Sequence, residues 1–328
     1  MRASSIRLFT PIIQQNMQSD LKPLALLGTL CNSYKVMPSD MDLKSVIVIH
    51  RHGDRSQISR SLGTRYPESE SLASVWTKLL PTERSCKAML LAAQPGGALA
   101  KNGDTVNEHE TLYGGWDQIN RPYGQLTELG SQQLVSVGKK LRERYSALLT
   151  GTAKNDVFCR STNTCRTGQS IRSLLVGLLD VNPDEHDSTI KVSSLQNMPH
   201  IHIRPYALEN LYPQGGGPAM IQRRSQVYPP GLEERTLPGY ATDVTRAQEL
   251  YSFAEKVNWV VVMEVLNCHN VHNIEHIKGV TPEDLETATR LATWHWGLLY
   301  KVQLCSYLFL LSCFLLTHSL LRIDRTRS

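Results

Sequence analysis

A short apolar strand followed by a basic loop occurs twice in this chain, and this repeated unit restricts the fold more than any other feature. In the first unit, KSVIVIH at 44–50 runs into RHGDR at 51–55. In the second, DVFC at 156–159 runs into RSTNTCRT at 160–167, and apolar residues at helical spacing follow. The run VIVI indicates a strand buried on both faces, which needs helices on each side of a sheet. The pattern therefore predicts an α/β fold.

The composition is that of a globular protein, and it narrows the class of ligand. Of the 328 residues, 41% are hydrophobic, and 35 Lys and Arg stand against 30 Asp and Glu. The net charge of +5 comes without a Lys/Arg block, so we expect no nucleic acid as partner, whereas a small anionic ligand fits. The 7 cysteines are scattered without a CxxC pair, which predicts reduced thiols and no zinc ribbon.

Helices are expected after the second unit, before it and near the C-terminal end. Thr127 is a good N-cap, and apolar residues three and four apart follow it. Thr281-Pro282 is a second strong helix start. Residues 56–122 are rich in Gly, Pro and Ser and are predicted to be irregular.

The chain divides into four predicted regions. These are a leader at 1–40, the N-terminal part of an α/β core at 41–194, a mostly helical cap at 195–301 and an apolar tail at 302–328. The leader is basic and poor in acids, which suits a targeting segment as well as a disordered leader. A mitochondrial and a cytoplasmic location therefore both stay open.

The apolar tail has three interpretations. Residues 302–321 read VQLCSYLFLLSCFLLTHSLL, which is long enough for one transmembrane helix. Membrane association through such an anchor is one interpretation, and a buried core helix is another. The third is a gene model that reads past an exon end, which would produce such an abrupt change of amino-acid composition.

The chemistry is expected in the loop at 51–55, because ligands of open α/β sheets bind at the carboxyl ends of strands. Arg51 and Arg55 flank His52, and guanidinium groups bind phosphate oxygens in pairs. A His among fixed cations loses its proton more easily, which leaves a neutral nitrogen to attack phosphorus. Gly53 lets the backbone approach the ligand closely. The loop therefore predicts a phosphate site with His52 as nucleophile.

The second basic loop has two interpretations. Arg160 could bring a third guanidinium to the same anion. Alternatively, the loop is a capped helical turn in which Arg166 packs along its own stem.

These two motifs resemble those of the histidine acid phosphatases, the second branch of the histidine phosphatase superfamily. RHGDRSQ at 51–57 is similar to the pattern RHG-x-R-x-P, and RSTNTCRT at 160–167 to RST-x-x-x-R-T. The segment HIHIRPYALENLYP at 200–213 is most similar to the lysophosphatidic acid phosphatase subgroup. The resemblance covers residues 44–301.

The resemblance implies a three-layer α/β sandwich with a mostly helical cap. It also implies an acid phosphatase that hydrolyses phosphate monoesters, including lysophospholipids, through a phosphohistidine at His52. Arg51, Arg55 and Arg160 would be catalytic and would bind the phosphate oxygens. No metal and no other cofactor is implied.

This chain departs from the family pattern in three places. Asp54 and Gln57 replace common residues of the first motif, so we expect the carboxylate of Asp54 to point away from phosphate. The late His-Asp pair that supplies the family's general acid is not found, and the general acid stays unknown. Only His186-Asp187 matches as a dipeptide, and it is interpreted as a decoy in a surface loop. The chain is therefore expected to be C-terminally truncated, with an incomplete core sheet and impaired activity.

Several alternatives stay open. His269, His272 and His276 share a helical face and could bind a metal, although polar cap residues are the favoured interpretation. The chain could also be a non-catalytic protein that binds phosphate esters, or a truncated gene model. Finally, an inositol-polyphosphate phosphatase of the phytase type is a specificity within the same family.

Overall fold

The computed structural model describes residues 43, 45–93, 98–99, 105–106, 120–149, 157–182, 199–203, 231–275, 277–301 and 318–324. Helices and strands alternate in this part of the chain, so the predicted α/β class is confirmed.

One mixed sheet of six strands forms the core of the described residues, in the order β1-β6-β4-β5-β2-β3. Strand β6 is antiparallel to both β1 and β4, so the two strands of the repeated unit run in the same direction on either side of it. The strands are β1 (Ser45–Arg51), β2 (Ala98–Leu99), β3 (Thr105–Val106), β4 (Val157–Ser161), β5 (Ile201–Ile203) and β6 (His318–Asp324).

Helices pack against this sheet. Helix α3 (Glu128–Arg144) begins after Thr127, whose side chain accepts a hydrogen bond from the amide of Gly130, as the sequence predicts. The short helix α4 (Ser146–Leu149) follows it. Helix α5 (Cys165–Leu179) lies against α3, and apolar residues of both helices share one core with Val46 and Val48 of β1.

The prediction that β1 is buried on both faces is wrong. Its residues alternate between buried and partly exposed positions, and Val46, Val48 and His50 occupy the buried side. The reason lies in the layers, because the core cluster under α3 and α5 includes only one side of the strand among the described residues.

The stretch predicted to be irregular contains two helices, α1 (Glu70–Lys78) and α2 (Glu83–Ala92). The side chain of Ser69 accepts a hydrogen bond from the amide of Leu72, and that of Thr82 accepts one from the amide of Ser85. Each helix also carries a glutamate in its first turn, next to the positive end of the helix dipole. These local N-terminal signals were present in the sequence and were missed.

The residues from 231 to 301 form mainly helices with a core of their own. Trp259, Val262 and Leu266 are buried there beside Tyr240 and Tyr251. The helices are α6 (Leu232–Thr236), α7 (Tyr240–Tyr251), α8 (Trp259–Val271) and α9 (Pro282–Lys301). Helix α9 begins at Pro282, as predicted. We refer to these four helices as the cap.

Two predicted boundaries need correction. Strand β5 belongs to the sheet although it lies within the range predicted for the cap, because Ile201 and Ile203 are fully buried in the core cluster. Residues 318–321, which one of the three interpretations of the tail makes the end of a membrane helix, lie in β6. This strand pairs with strands on both sides, and Leu321 is fully buried in the core. Residues 302–317 lie outside the described part of the chain. Among the helices described, none combines the length and apolarity needed to cross a membrane.

Candidate active site

His52 lies directly after β1 and is buried, with 9% of its surface exposed. Its Nδ1 atom lies 2.6 Å from the carbonyl oxygen of Gly53. The amide of Gly53 donates to the hydroxyl of Ser170 on α5 at 3.0 Å. The imidazole therefore has a fixed orientation, and α5 holds the backbone beside it.

The surroundings of His52 favour the neutral form of its imidazole. Burial is the largest cause that lowers the pKa of His52 well below its usual value, and the charges of Arg51, Arg166 and Arg55 lower it further. The contact with the Gly53 carbonyl acts in the opposite direction but does not outweigh these causes. The lowered pKa agrees with the expectation that a His among fixed cations loses its proton more easily.

A close backbone approach fixes the loop against α3. A Cβ atom added to Gly53 would lie 2.3 Å from the carbonyl oxygen of Gly130, and one added to Gly130 would lie 2.1 Å from that of Asp54. Real Cβ atoms do not come this close, so both positions need glycine. The amide of Asp54 also donates to the side chain of Gln133 at 2.9 Å.

The second basic loop brings Arg166 close enough to His52 for its charge to act on the imidazole. Arg166 is 7% exposed, donates to the carbonyl oxygen of Gly124 at 3.3 Å and acts electrostatically on His52. The interpretation of Arg166 as a residue that only packs along its stem missed this charge. Arg160 lies in β4. Burial is the main cause that lowers the pKa of His202 on the neighbouring strand, and the charges of His200 and Arg160 lower it further.

Arg55 forms an ion pair with the cap. Its Nη1 atom donates to Oε1 of Glu264 on α8 at 2.5 Å, and 12% and 11% of the two side chains are exposed. The same nitrogen donates to the carbonyl oxygen of Ser56 at 2.9 Å. Burial alone would lower the pKa of Arg55, but the carboxylate of Glu264 raises it overall. Sequence reasoning missed Glu264, because nothing near it in the chain marks it as a partner.

The two unusual residues of the first motif also contact the cap. The Oδ2 atom of Asp54 lies 2.7 Å from Nε2 of His272 and accepts a hydrogen bond from Thr127 at 2.5 Å. The Oε1 atom of Gln57 lies 2.8 Å from Nε2 of His269. Gln57 thus holds the loop through a side-chain contact at the position where the resembling family has proline. The Nε2 atoms of His269 and His272 are therefore both engaged in contacts with the loop.

The metal alternative has no support in the described residues, where no group of three or more His, Cys, Asp or Glu side chains converges on one point. His276 lies outside the described residues, and so do His186 and Asp187. Cys268 lies beside the ion pair, and burial raises the pKa of its thiol to about 12.

A cavity of about 670 Å³ opens beside the loop, between the segment that leads into α1 and the cap helix α8. Its lining includes Gln57, His269 and His272, which also make or border the contacts just described. The remaining lining is half apolar or aromatic, with Leu62, Tyr66, Pro67, Leu72, Val75, Val265, Ile274 and Ile277. The other half is polar or charged, with the cations Arg60, Arg65 and Lys278, the carboxylate of Glu275, and Ser61, Ser69, Ser71 and Asn273.

Comparisons with known proteins identify a family and several relatives that this chain resembles. The model of the histidine phosphatase superfamily (branch 2) matches residues 42–202, which include both basic loops. Lysophosphatidic acid phosphatase type 6 of Bos taurus is 26% identical over 244 residues, which are 71% of this chain and 51% of that protein.

Two further relatives are similar. Lysophosphatidic acid phosphatase type 6 of Homo sapiens is 29% identical over 213 residues, 59% of this chain and 47% of that protein. Lysosomal acid phosphatase of Bos taurus is 28% identical over 199 residues, 57% of this chain and 44% of that protein. The chain thus spans about half the length of the curated relatives it matches. Residues 42–202 thus match the histidine phosphatase superfamily in its second branch, and the relatives named above support the histidine acid phosphatase family.

Proposed function

We propose that this chain hydrolyses phosphate monoesters through a phosphohistidine formed at His52. The observation that carries the proposal is the buried imidazole whose Nδ1 contacts the carbonyl oxygen of Gly53. A carbonyl oxygen only accepts hydrogen bonds, so Nδ1 carries the hydrogen, and the lone pair lies on Nε2. Burial and the charges of Arg51, Arg166 and Arg55 lower the pKa of His52, which favours the neutral imidazole that acts as a nucleophile.

The reaction proceeds in two displacements. Nε2 of His52 attacks phosphorus, a nitrogen–phosphorus bond forms, and the bond to the leaving oxygen breaks with its electron pair on that oxygen. Water then attacks the phosphohistidine, releases inorganic phosphate and regenerates the imidazole. Arg51, Arg55 and Arg160 bind the non-bridging oxygens, and the charge of Arg166 supports them. Guanidinium groups placed in this way stabilise the charge that spreads over those oxygens in the transition state.

The leaving oxygen receives no proton from the two carboxylates that border the loop in the described residues. Asp54 accepts hydrogen bonds from Thr127, and Glu264 accepts from Arg55 and from the amide of Ile58. Carboxylates in such settings are acceptors, not proton donors. General acid catalysis typically contributes about a hundred- to ten-thousand-fold in rate. We therefore expect aryl phosphates, whose leaving groups are stable anions, to react much faster than alkyl phosphates.

We further propose a phosphate ester with an acyl chain, of the lysophosphatidate type, as the ligand class. The names of several relatives support this class, and so does the cavity beside the loop, whose lining combines an apolar part with Arg60, Arg65 and Lys278. The three-layer sandwich implied by the family resemblance, with helices on both faces of the sheet, belongs to the same proposal.

The test is turnover of nitrophenyl phosphate and lysophosphatidate by the full chain. We expect measurable hydrolysis of the aryl ester, at least a hundredfold slower hydrolysis of lysophosphatidate, and loss of both in His52→Ala. Unchanged hydrolysis by His52→Ala would disprove the proposed nucleophile. Lysophosphatidate turnover as fast as that of the aryl ester would show that the chain does supply a proton to the leaving oxygen.

A further inference from the structure

One face of α8 meets the basic loop through four side chains. Glu264, Cys268 and His272 are four residues apart, so they lie along one side of the helix, and His269 is adjacent to them. Each contacts a different part of residues 54–58, as the ion pair with Arg55 and the contacts with Asp54 and Gln57 show. The cap is therefore anchored on residues 54–58, which include Arg55, one of the proposed anion ligands.

Glu264 has the central position in this contact. Its Oε1 atom accepts from Nη1 of Arg55 at 2.5 Å and from the backbone amide of Ile58 at 2.7 Å. The thiol of Cys268 lies 3.7 Å from the same oxygen. One carboxylate oxygen thus fixes the guanidinium and the backbone three residues further along.

The geometry of Arg55 leaves it able to bind an anion at the same time. A guanidinium has five N–H donors, and both hydrogen bonds that the structure gives to Arg55 use Nη1. An arginine held at one nitrogen keeps a fixed plane, so its other donors have a defined direction.

We propose that Glu264 is a positioning residue, which holds the Arg55 guanidinium in the orientation that binds the phosphoryl group at His52. The inference rests on the proposed function. Glu264 does not touch the anion itself, and its negative charge close to the site would by itself weaken anion binding. Its contribution must therefore pass through the orientation of Arg55, which distinguishes positioning from a direct electrostatic effect.

A double-mutant cycle on the full chain tests this. The probe is inorganic phosphate, and its Kd is measured by calorimetry for wild type, Arg55→Ala, Glu264→Ala and the double variant. We expect each single substitution to weaken phosphate binding roughly tenfold, and we expect Glu264→Ala to change the Kd less than about twofold in the Arg55→Ala background. Glu286→Gln, at an exposed position on α9, is the matched control and should leave the Kd unchanged.

Three results separate the possibilities. The positioning role would be overturned if Glu264→Ala raised the phosphate Kd by the same factor with and without Arg55. It would also be overturned if Glu264→Ala alone bound phosphate as tightly as wild type. Either result would leave the proposed function intact. Failure of the wild type to bind phosphate or to hydrolyse nitrophenyl phosphate would overturn the proposed function, and this inference with it. If Glu264→Ala does not fold by circular dichroism, Glu264→Gln replaces it, because its amide oxygen can still accept from Ile58. We expect that variant to weaken phosphate binding only when Arg55 is present, and a loss without Arg55 would overturn the role.

Discussion

The Nδ1 atom of His52 lies 2.6 Å from the carbonyl oxygen of its neighbour Gly53, and this contact determines which ring nitrogen is free to react. Because the carbonyl accepts the hydrogen of Nδ1, the lone pair lies on Nε2. Burial and the nearby guanidinium groups keep the ring neutral. A neutral imidazole in one orientation next to several cations is well suited to attack a phosphate ester.

Acid should destabilise the fold in part through His50, the buried residue of β1 on the same side as Val48. Burial lowers the pKa of His50 from 6.5 to about 4, against the smaller opposite effect of the Arg51 carbonyl. The folded value lies below the unfolded one, so stability is full above about pH 6.5 and falls as the pH drops towards 4. The loss is on the order of 3 kcal/mol.

The measurement is urea unfolding of wild type and His50→Leu at neutral and at acidic pH. Between neutral and acidic pH, we expect the free energy of unfolding of His50→Leu to fall by about 2–3 kcal/mol less than that of wild type. The reason is that leucine cannot take up the proton that His50 binds on unfolding. His200→Leu, at an exposed position, is the control and should behave like wild type. The same acid dependence in wild type and His50→Leu would show that His50 does not cause the loss.

The close approach of Gly130 to the loop predicts a variant that loses both stability and phosphate binding. In Gly130→Ala the new Cβ would lie 2.1 Å from the carbonyl oxygen of Asp54, so the loop must move. Overpacking of this kind typically costs about 1–3 kcal/mol, and displacement of Arg55 should weaken phosphate binding as well. Thermal unfolding and calorimetry measure the two effects.

Two other glycines serve as controls for Gly130. Gly177→Ala should cost similar stability, because its Cβ would lie 2.0 Å from the Val135 carbonyl oxygen, but phosphate binding should persist in the folded variant. The Cβ atom of Gly297→Ala on α9 would meet no atom within 4 Å. This variant should raise the stability of the fold by up to about 1 kcal/mol, because alanine favours the helix more than glycine does. Equal loss of phosphate binding in Gly130→Ala and Gly177→Ala would contradict a specific role of the loop contact.

The strand-and-loop units could be predicted from the sequence because all their signals are local. The run VIVI, the Gly turn and the two arginines lie within ten residues of one another, and the N-cap of α3 is equally local. The partners of Arg55 and Asp54 could not be found in this way. Glu264 lies 209 residues from Arg55, and His272 lies 218 residues from Asp54, so only the packing of α8 brings them together.

Strand β6 shows a second limit of local reasoning. Its residues continue an apolar run that has the length of a membrane helix, so composition alone favours the wrong element. Residues 318–324 form a strand because they fill the space between β1 and β4 and pair with both of these strands. This gap is a property of the assembled sheet and is not visible in residues 318–324.

The cavity predicts a preference for phosphate esters with an acyl chain. Lysophosphatidate should inhibit nitrophenyl phosphate hydrolysis at lower concentration than glycerol 3-phosphate, because each buried methylene group contributes about 0.8 kcal/mol. Leu72 lines the cavity and is only partly buried, so Leu72→Asn should fold and should reduce this preference. Equal inhibition by the two esters in wild type would exclude the cavity as the acyl site. Inhibition constants from steady-state kinetics decide this.

The central claim is that the phosphoryl group passes through His52, and trapping of the intermediate tests it most directly. The full chain is mixed with a radiolabelled aryl phosphate and denatured in alkali within milliseconds, since phosphohistidine survives alkali and is lost in acid. We predict protein-bound label in wild type and in His50→Leu, its release by brief acid treatment, and none in His52→Ala. Label that persists in His52→Ala, or that resists acid, would contradict the account.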